Sequence, residues 1–453
     1  MSDGEHVVPS RISDALLAEC LGRPQAYSAL RRLCDFGGGR TSGAESGQRA
    51  EHWAAEVMAD WGLDAVHGEL LPVRVWERGT LEVQVLGDPG WRITGLAHGF
   101  APDRCDVTAP VLDVGYGLPE DYERLKDLSR SSIALCVEGA PAGRRVPHRT
   151  EKLAWAVANG AAGLMIAAPE YGNLPRTGVC HRSGSPIPSL GISREDGERL
   201  QRMLRDGLRP RVRIDMRNST HDWTARNIIG EITGQSEPDG IVLAGAHLDS
   251  WDVSQGATDN GLGCAIVIEA ARALVSLGLR PRRTIRFALW AAEETGLHGS
   301  RAYTADHADE LDRTVCVMNF DMTGDPHGYW TPGNDTMPDM IRGLTRQLAP
   351  LGMREEVSSK PGLHSDHQPF MLAGVPVVGL LASLPTGSGR TYYHTAADTF
   401  EKVSFPALCR AAAVAAHTLW AFADCSEPPY SRKTPAEVDA MIEAAGLREA
   451  ILD

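Results

Sequence analysis

Gly240-Ile241-Val242-Leu243-Ala244-Gly245-Ala246-His247-Leu248-Asp249-Ser250 is the run that decides how this chain folds. From Gly240 to Ala246 there is no charge and no clean apolar–polar alternation. That is the pattern of a strand buried on both faces of a sheet. The run ends on His247 and Asp249, so polar, chemically able side chains sit at the strand's carboxyl end. In open α/β sheets that edge is where ligands and reactive groups collect.

Working outward, Asn227–Ile232, Thr284–Trp290, Val315–Phe320 and Val375–Leu381 repeat the apolar pattern. Helical text separates them at Gly261–Leu277, Arg301–Ala308, Pro338–Leu348 and Pro406–Phe422. This alternation predicts an α/β fold with a mixed, largely parallel central sheet flanked by helices. Upstream, leucines from Leu16 to Leu33 recur at helical spacing, and a break comes at Phe36-Gly37-Gly38-Gly39. Ser46–Trp61 reads as a further helix, and Leu70–Trp76 and Leu81–Leu86 as strands. Between them and Asn227 the character changes. Val111–Val114, Ile133–Val137 and Leu164–Ala167 read as short buried strands, Lys152–Asn159 and Arg194–Leu204 as helices. This is a small α+β unit with its own core material. The expected segments are 1–92, 93–223 and 224–453, and Lys433–Asp453 reads as a short amphipathic helix.

The bulk numbers bound the partners. The chain has 453 residues, 43% hydrophobic and 23% charged, enough for two or three domains with sizeable cores. Its net charge of -14 is spread along the sequence, and no basic stripe with interleaved aromatics is present, so no nucleic-acid partner is expected. No run of 18 apolar residues predicts a membrane span. The polar start, Met1–Arg11, lacks an apolar signal core, which points to the cytoplasm. Nine cysteines without a CxxC pair read as small buried hydrophobes.

The chemistry lies just past the end of each strand in the last region. His247 and Asp249, then Asp259, then Glu293-Glu294, then Asp321, and finally Tyr393-His394 in a late loop bring histidines and carboxylates to one sheet edge. Each alone has an ordinary explanation: Asp259 ahead of a helix could be an N-cap. Together they have the nitrogen and oxygen donors that suit zinc. A two-metal site needs a bridging carboxylate, two separate ligand sets and a base that binds no metal. It also needs carboxylates to hold the ligand histidines, for which Asp249 and Asp398 are candidates.

The strings His247-Leu248-Asp249-Ser250-Trp251-Asp252, Trp290-Ala291-Ala292-Glu293-Glu294-Thr295-Gly296, Asn319-Phe320-Asp321-Met322 and Tyr393-His394-Thr395-Ala396-Ala397-Asp398-Thr399 resemble the co-catalytic zinc exopeptidases. That family holds aminopeptidases and plasma glutamate carboxypeptidase-like enzymes. The middle unit, through Asn159–Ile166 and Ile187–Ile192, is similar to the protease-associated domain that many members carry as an insertion, which implies that 93–223 is inserted into a main domain made of 1–92 and 224–453. The resemblance implies two Zn2+ per chain, one held by His247 and Asp321, the other by Glu294 and His394, with Asp259 bridging. It implies Glu293 as general base, Asp249 orienting His247, and Tyr393 bonding the developing oxyanion. The implied substrate is a peptide or small amide, and some relatives form homodimers.

Two features stand outside this transfer. His364-Ser365-Asp366-His367 adds histidines that are expected to support the site rather than bind zinc. Arg390, four residues before His394, is a candidate cation for a substrate carboxylate. The competing readings are an amidohydrolase or deacylase acting on a non-peptide amide, a glutaminyl-cyclase-like acyltransferase with one zinc, and a receptor-like binding protein.

Overall fold

The computed structural model describes residues 7–35, 38–125, 129–384 and 392–451; Phe36, Gly37 and Arg390 lie outside these. One continuous twisted sheet runs through the molecule, and two folding units share it.

At the larger end, Glu237–His247 lies centrally, parallel to Arg283–Trp290 on one side and Thr314–Asn319 on the other. Thr314–Asn319 is in turn parallel to Val377–Ser383. Four of the five strands predicted here from their apolar runs are therefore the parallel core of the sheet; the fifth, Asn227–Ile232, is the end of Arg211–Ile232 and pairs antiparallel with Arg283–Trp290. Strand Asp325–Trp330 escapes the sequence pattern: Pro326 and Gly328 interrupt its apolar residues, and it pairs antiparallel with Val377–Ser383 near the edge. Helices Leu262–Ser276 and Phe405–Asp424 cover the core, and both are almost wholly buried. The second is long and apolar enough to cross a bilayer, with 83% of that window buried inside the protein.

Two very long strands join the units. Asp64–Leu86 pairs antiparallel with Arg211–Ile232 along nearly its full length. Apolar runs alone divide the first into two short strands and show only the end of the second. Both have a half-exposed face, so their apolar residues alternate with charged ones and thin out in the middle. Beyond the junction, Arg104–Asp113, Ile133–Val137, Gly163–Ala167 and Ser189–Ile192 form a parallel set attached to this ribbon. This smaller unit has its own core, including Leu135, Met165, Leu190 and Ile214. Trp251, from the loop after the central strand, is buried in that core too. All nine cysteines are free.

Candidate metal centre

The central strand delivers His247 to the sheet edge at 1% exposure. Two strands on either side deliver the carboxylates: Glu293-Glu294 comes after Arg283–Trp290, and Asp321 after Thr314–Asn319. The backbone is tightly turned around these residues. Ala292, Met322 and His394 have φ of 54°, 49° and 54°, a left-handed conformation that costs a non-glycine residue energy and tends to occur at functional sites.

Asp259 is the hub. Its Oδ1 lies 3.1 Å from His247 Nε2 and its Oδ2 3.1 Å from His394 Nε2. Asp321 Oδ1 is 3.7 Å from His247 Nε2, and Glu294 Oε2 is 2.9 Å from His394 Nε2. The five residues thus divide into two groups that share Asp259: His247, Asp259 and Asp321, and Asp259, Glu294 and His394. Within each group the donor atoms lie within 4.8 Å of one another. Glu293 Oε2 stands 3.9 Å from His247 Nε2, beside the first group.

The electrostatics call for cations. Burial opposes charge on His247, yet Glu293, Asp249, Asp259 and Asp321 together raise its pKa well above the ordinary value. Burial likewise opposes charge on His394, and Glu294, Tyr393 and Asp259 nonetheless lift it to about 10. Burial also pushes the Glu293 carboxyl well up, against the pull of His247. So many carboxylates out of water need positive charge, and protons on imidazoles supply it only in part. Glu294 Oε1 is buried without a hydrogen-bond partner among the described residues. Paired imidazole and carboxylate donors suit zinc, and the group of Asp259, Glu294 and His394 holds the unsatisfied oxygen as well.

A supporting shell fixes the donors. Asp398 accepts from the amides of Thr258 (2.8 Å) and Asp259 (3.0 Å) and from Thr258 Oγ1. It holds the Asp259 backbone; the expectation that it holds one of the site histidines is corrected, because His394 turns its Nδ1 to the Thr177 carbonyl instead. Asp249 meets His247 Nδ1 through its carbonyl at 3.0 Å and its carboxylate at 3.6 Å. That carboxylate also accepts from the amides of Glu293 and Glu294, so one aspartate orients three site residues. Ser365 Oγ donates to Asp321 Oδ2 at 2.6 Å and accepts from Asn319 Nδ2 at 2.7 Å. Asp366 is 1% exposed, and burial lifts its carboxyl to about 7. His367 Nε2 donates to the Gly362 carbonyl at 3.0 Å, and its ring meets Trp330 edge-on. From the N-terminal segment, buried Arg40 binds the carbonyls of Leu248, Gln255 and Gly256 and so ties down both ligand loops.

The smaller unit roofs the centre, an arrangement that no local stretch of sequence foretells. A cavity of about 520 Å³ has Asp259, Glu293, Glu294 and Asp321 on one side and Arg145, Arg149 and Arg176 on the other. Arg145 is paired with Glu151 and Arg176 with Glu138. Arg149 has no carboxylate at ion-pair distance among the described residues; it donates to His148 Nε2 at 3.1 Å and bonds Tyr393. Tyr393 stacks on His394 and lines the same cavity. His364 stacks on His148 across the mouth, at 4.5 Å between ring centroids.

Comparison with known proteins agrees with this layout. Residues 227–419 match the model of peptidase family M28, and residues 102–200 match the PA domain. Carboxypeptidase Q of Homo sapiens is 32% identical over 415 residues, covering 89% of this chain and 86% of that protein. The structure of a peptidase M28 precursor from Shewanella amazonensis SB2B superposes with a TM-score of 0.83 at 26% identity, covering 94% of this chain and 98% of that one. A zinc aminopeptidase from Bacillus subtilis superposes with a TM-score of 0.67 at 26% identity, covering 90% and 97%. The chain belongs to peptidase family M28, with a PA domain carried on the ribbon that extends its catalytic sheet.

Proposed function

We propose that this protein is a two-zinc exopeptidase that hydrolyses the peptide bond next to a free C-terminal carboxylate, with free dipeptides as the substrate class. His247 and Asp321 would hold one metal, Glu294 and His394 the other, and Asp259 would bridge them. When bound, such a pair supplies Lewis acidity to a water molecule and to the scissile carbonyl.

The chain's own residues do the rest. Glu293 borders the donor groups without belonging to either of them, and its desolvated carboxylate favours taking a proton. It would remove the water's proton and return it to the leaving nitrogen. Asp249 fixes the Glu293 and Glu294 backbone, so base and ligand keep their spacing. The Tyr393 hydroxyl would donate to the carbonyl oxygen as charge grows there.

The observation that carries the choice of substrate end is Arg149. A guanidinium in an acid-lined cavity, its neighbours Arg145 and Arg176 already paired, calls for an anion. A substrate carboxylate can meet it in two parallel bonds. An aminopeptidase reading would instead need acids spared for an amine, whereas Asp259, Glu294 and Asp321 belong to the metal groups, Glu293 borders them and Glu138 is paired with Arg176.

A substrate panel tests this. Free dipeptides, N-blocked peptides, aminoacyl amides and N-acyl amino acids would be assayed with zinc-loaded enzyme and a chelator control. Preferred cleavage of substrates that keep the free carboxylate supports the reading. Equal or better turnover of aminoacyl amides would overturn it.

A further inference from the structure

The PA domain touches the metal centre at a second place, distinct from Arg149. Thr177 and His394 face each other across the junction in a reciprocal pair. The Thr177 amide donates to the His394 carbonyl at 3.0 Å, and His394 Nδ1 lies 3.3 Å from the Thr177 carbonyl. With Nε2 turned to Asp259 and Glu294, a metal at Nε2 requires the proton on Nδ1. The Thr177 carbonyl is then its acceptor. Arg149 also approaches Nδ1, at 3.5 Å, but as a donor it cannot bond a protonated nitrogen.

Thr177 is itself held by a latch. It is fully buried, and its Oγ1 donates to the Ala97 carbonyl at 2.9 Å and accepts from Arg78 at 2.9 Å. Arg78, on the ribbon, also bonds the Ala97 carbonyl and grips Asp252 through both carboxylate oxygens, at 2.9 and 3.0 Å. Asp252 belongs to the loop after His247. One arginine therefore ties ribbon, PA domain and catalytic loop together around Thr177. Next to Asp252, Trp251 is buried in the PA-domain core and meets the His394 ring edge-on at 6.0 Å. Gly99 lies so close that a Cβ there would sit 2.4 Å from the Trp251 ring.

We propose that the PA domain is part of the metal site: the Thr177 carbonyl, positioned by Arg78, fixes the His394 imidazole and sets the affinity of the Glu294–His394 metal position. This rests on the two-metal reading above. Its consequence is selective. The His247–Asp321 position takes its outer partner, Asp249, from the peptidase domain itself.

The test is stepwise zinc affinity, by competition with a chelator, in the full chain carrying Thr177→Val, Thr177→Ser or Arg78→Met. Thr177→Val keeps the shape and the carbonyl but removes both latch bonds. Loss of a partner behind a ligand histidine typically weakens metal binding about 10- to 100-fold. In Thr177→Val the expected result is weakening, up to that size, at the Glu294–His394 zinc only, with the other unchanged and Thr177→Ser near wild type. Should Arg78→Met fail to fold, as judged by thermal melting, Thr177→Val carries the comparison alone. Two unchanged affinities in Thr177→Val, or equal weakening of both, would overturn the proposal. A wild type that binds two zincs yet hydrolyses no amide would overturn the exopeptidase reading and leave this one standing.

Discussion

Asp259 splits its carboxylate between two histidines, Oδ1 at 3.1 Å from His247 Nε2 and Oδ2 at 3.1 Å from His394 Nε2. The two imidazoles arrive from opposite ends of the peptidase sequence, and one side chain sets their separation. Asp398 and Thr258 hold its backbone from behind, so the bridge has little freedom to serve one histidine at the expense of the other.

Asp259→Asn tests that geometry. An amide offers one oxygen and one NH2, so it can serve one metal but not both. The variant is expected to bind one zinc firmly at most. Losing a Lewis acid worth several kcal/mol of charge stabilisation lowers activity by about 10³-fold or more. Metal analysis after gel filtration, alongside turnover, checks both.

Glu293→Gln tests the proposed role of Glu293 as the base and not a ligand. Glu293 stands 3.9 Å from His247 and belongs to neither donor group. Zinc content is expected to stay at the wild-type level while kcat falls by about 10²–10⁴. A fall in kcat with metal loss would instead make Glu293 a ligand.

Arg149→Met tests the substrate's carboxylate anchor. Losing a charge-assisted pair of hydrogen bonds costs about 1.5–3 kcal/mol, or roughly 10- to 150-fold. KM for free dipeptides is expected to rise by about that factor, and by clearly more than KM for aminoacyl amides. Parallel losses on both substrate types would point to a structural role.

Glu51, which belongs to neither donor group, gives a pH dependence of stability. It is 5% exposed, its Oε1 accepts from the Arg226 amide, and burial lifts its carboxyl from 4.5 to about 7. The folded chain therefore holds this proton over a range where the unfolded chain has lost it. Stability from this group falls as pH rises from about 4.5 to about 7, because the folded state binds more protons there. Glu51→Gln keeps the acceptor and removes the cost. Its melting temperature should match wild type at a pH of about 4.5 and exceed it above about 7, as differential scanning calorimetry can read.

How much of this is legible in the sequence depends on how local the cause is. The parallel core strands announce themselves because both faces are buried, so Val242, Leu243 and Ala244 can all be apolar at once. The ribbon strands do not, since Arg213, Asp215 and Arg217 alternate with Val212, Ile214 and Met216 at a spacing that a short apolar window misses. At the site, His247, Glu293-Glu294 and Asp321 are readable because each lies at or just past the end of a strand. Ser365 is within reach, as it lies in the segment His364–His367 singled out for support. Thr177 and Arg149 are not, because their neighbour His394 is more than 200 residues away and only the docking of the PA domain joins them. Arg40 is hidden for the same reason: nothing in its own stretch foretells the carbonyls of Leu248 and Gln255.

The most direct check on the central claim is a zinc titration of metal-free protein, measuring free dipeptide hydrolysis against zinc bound per chain. Two zincs are expected to bind per chain, with activity complete only when the second is in place and lost on chelation. Full activity with one zinc per chain, or undiminished activity in the metal-free protein, would contradict it.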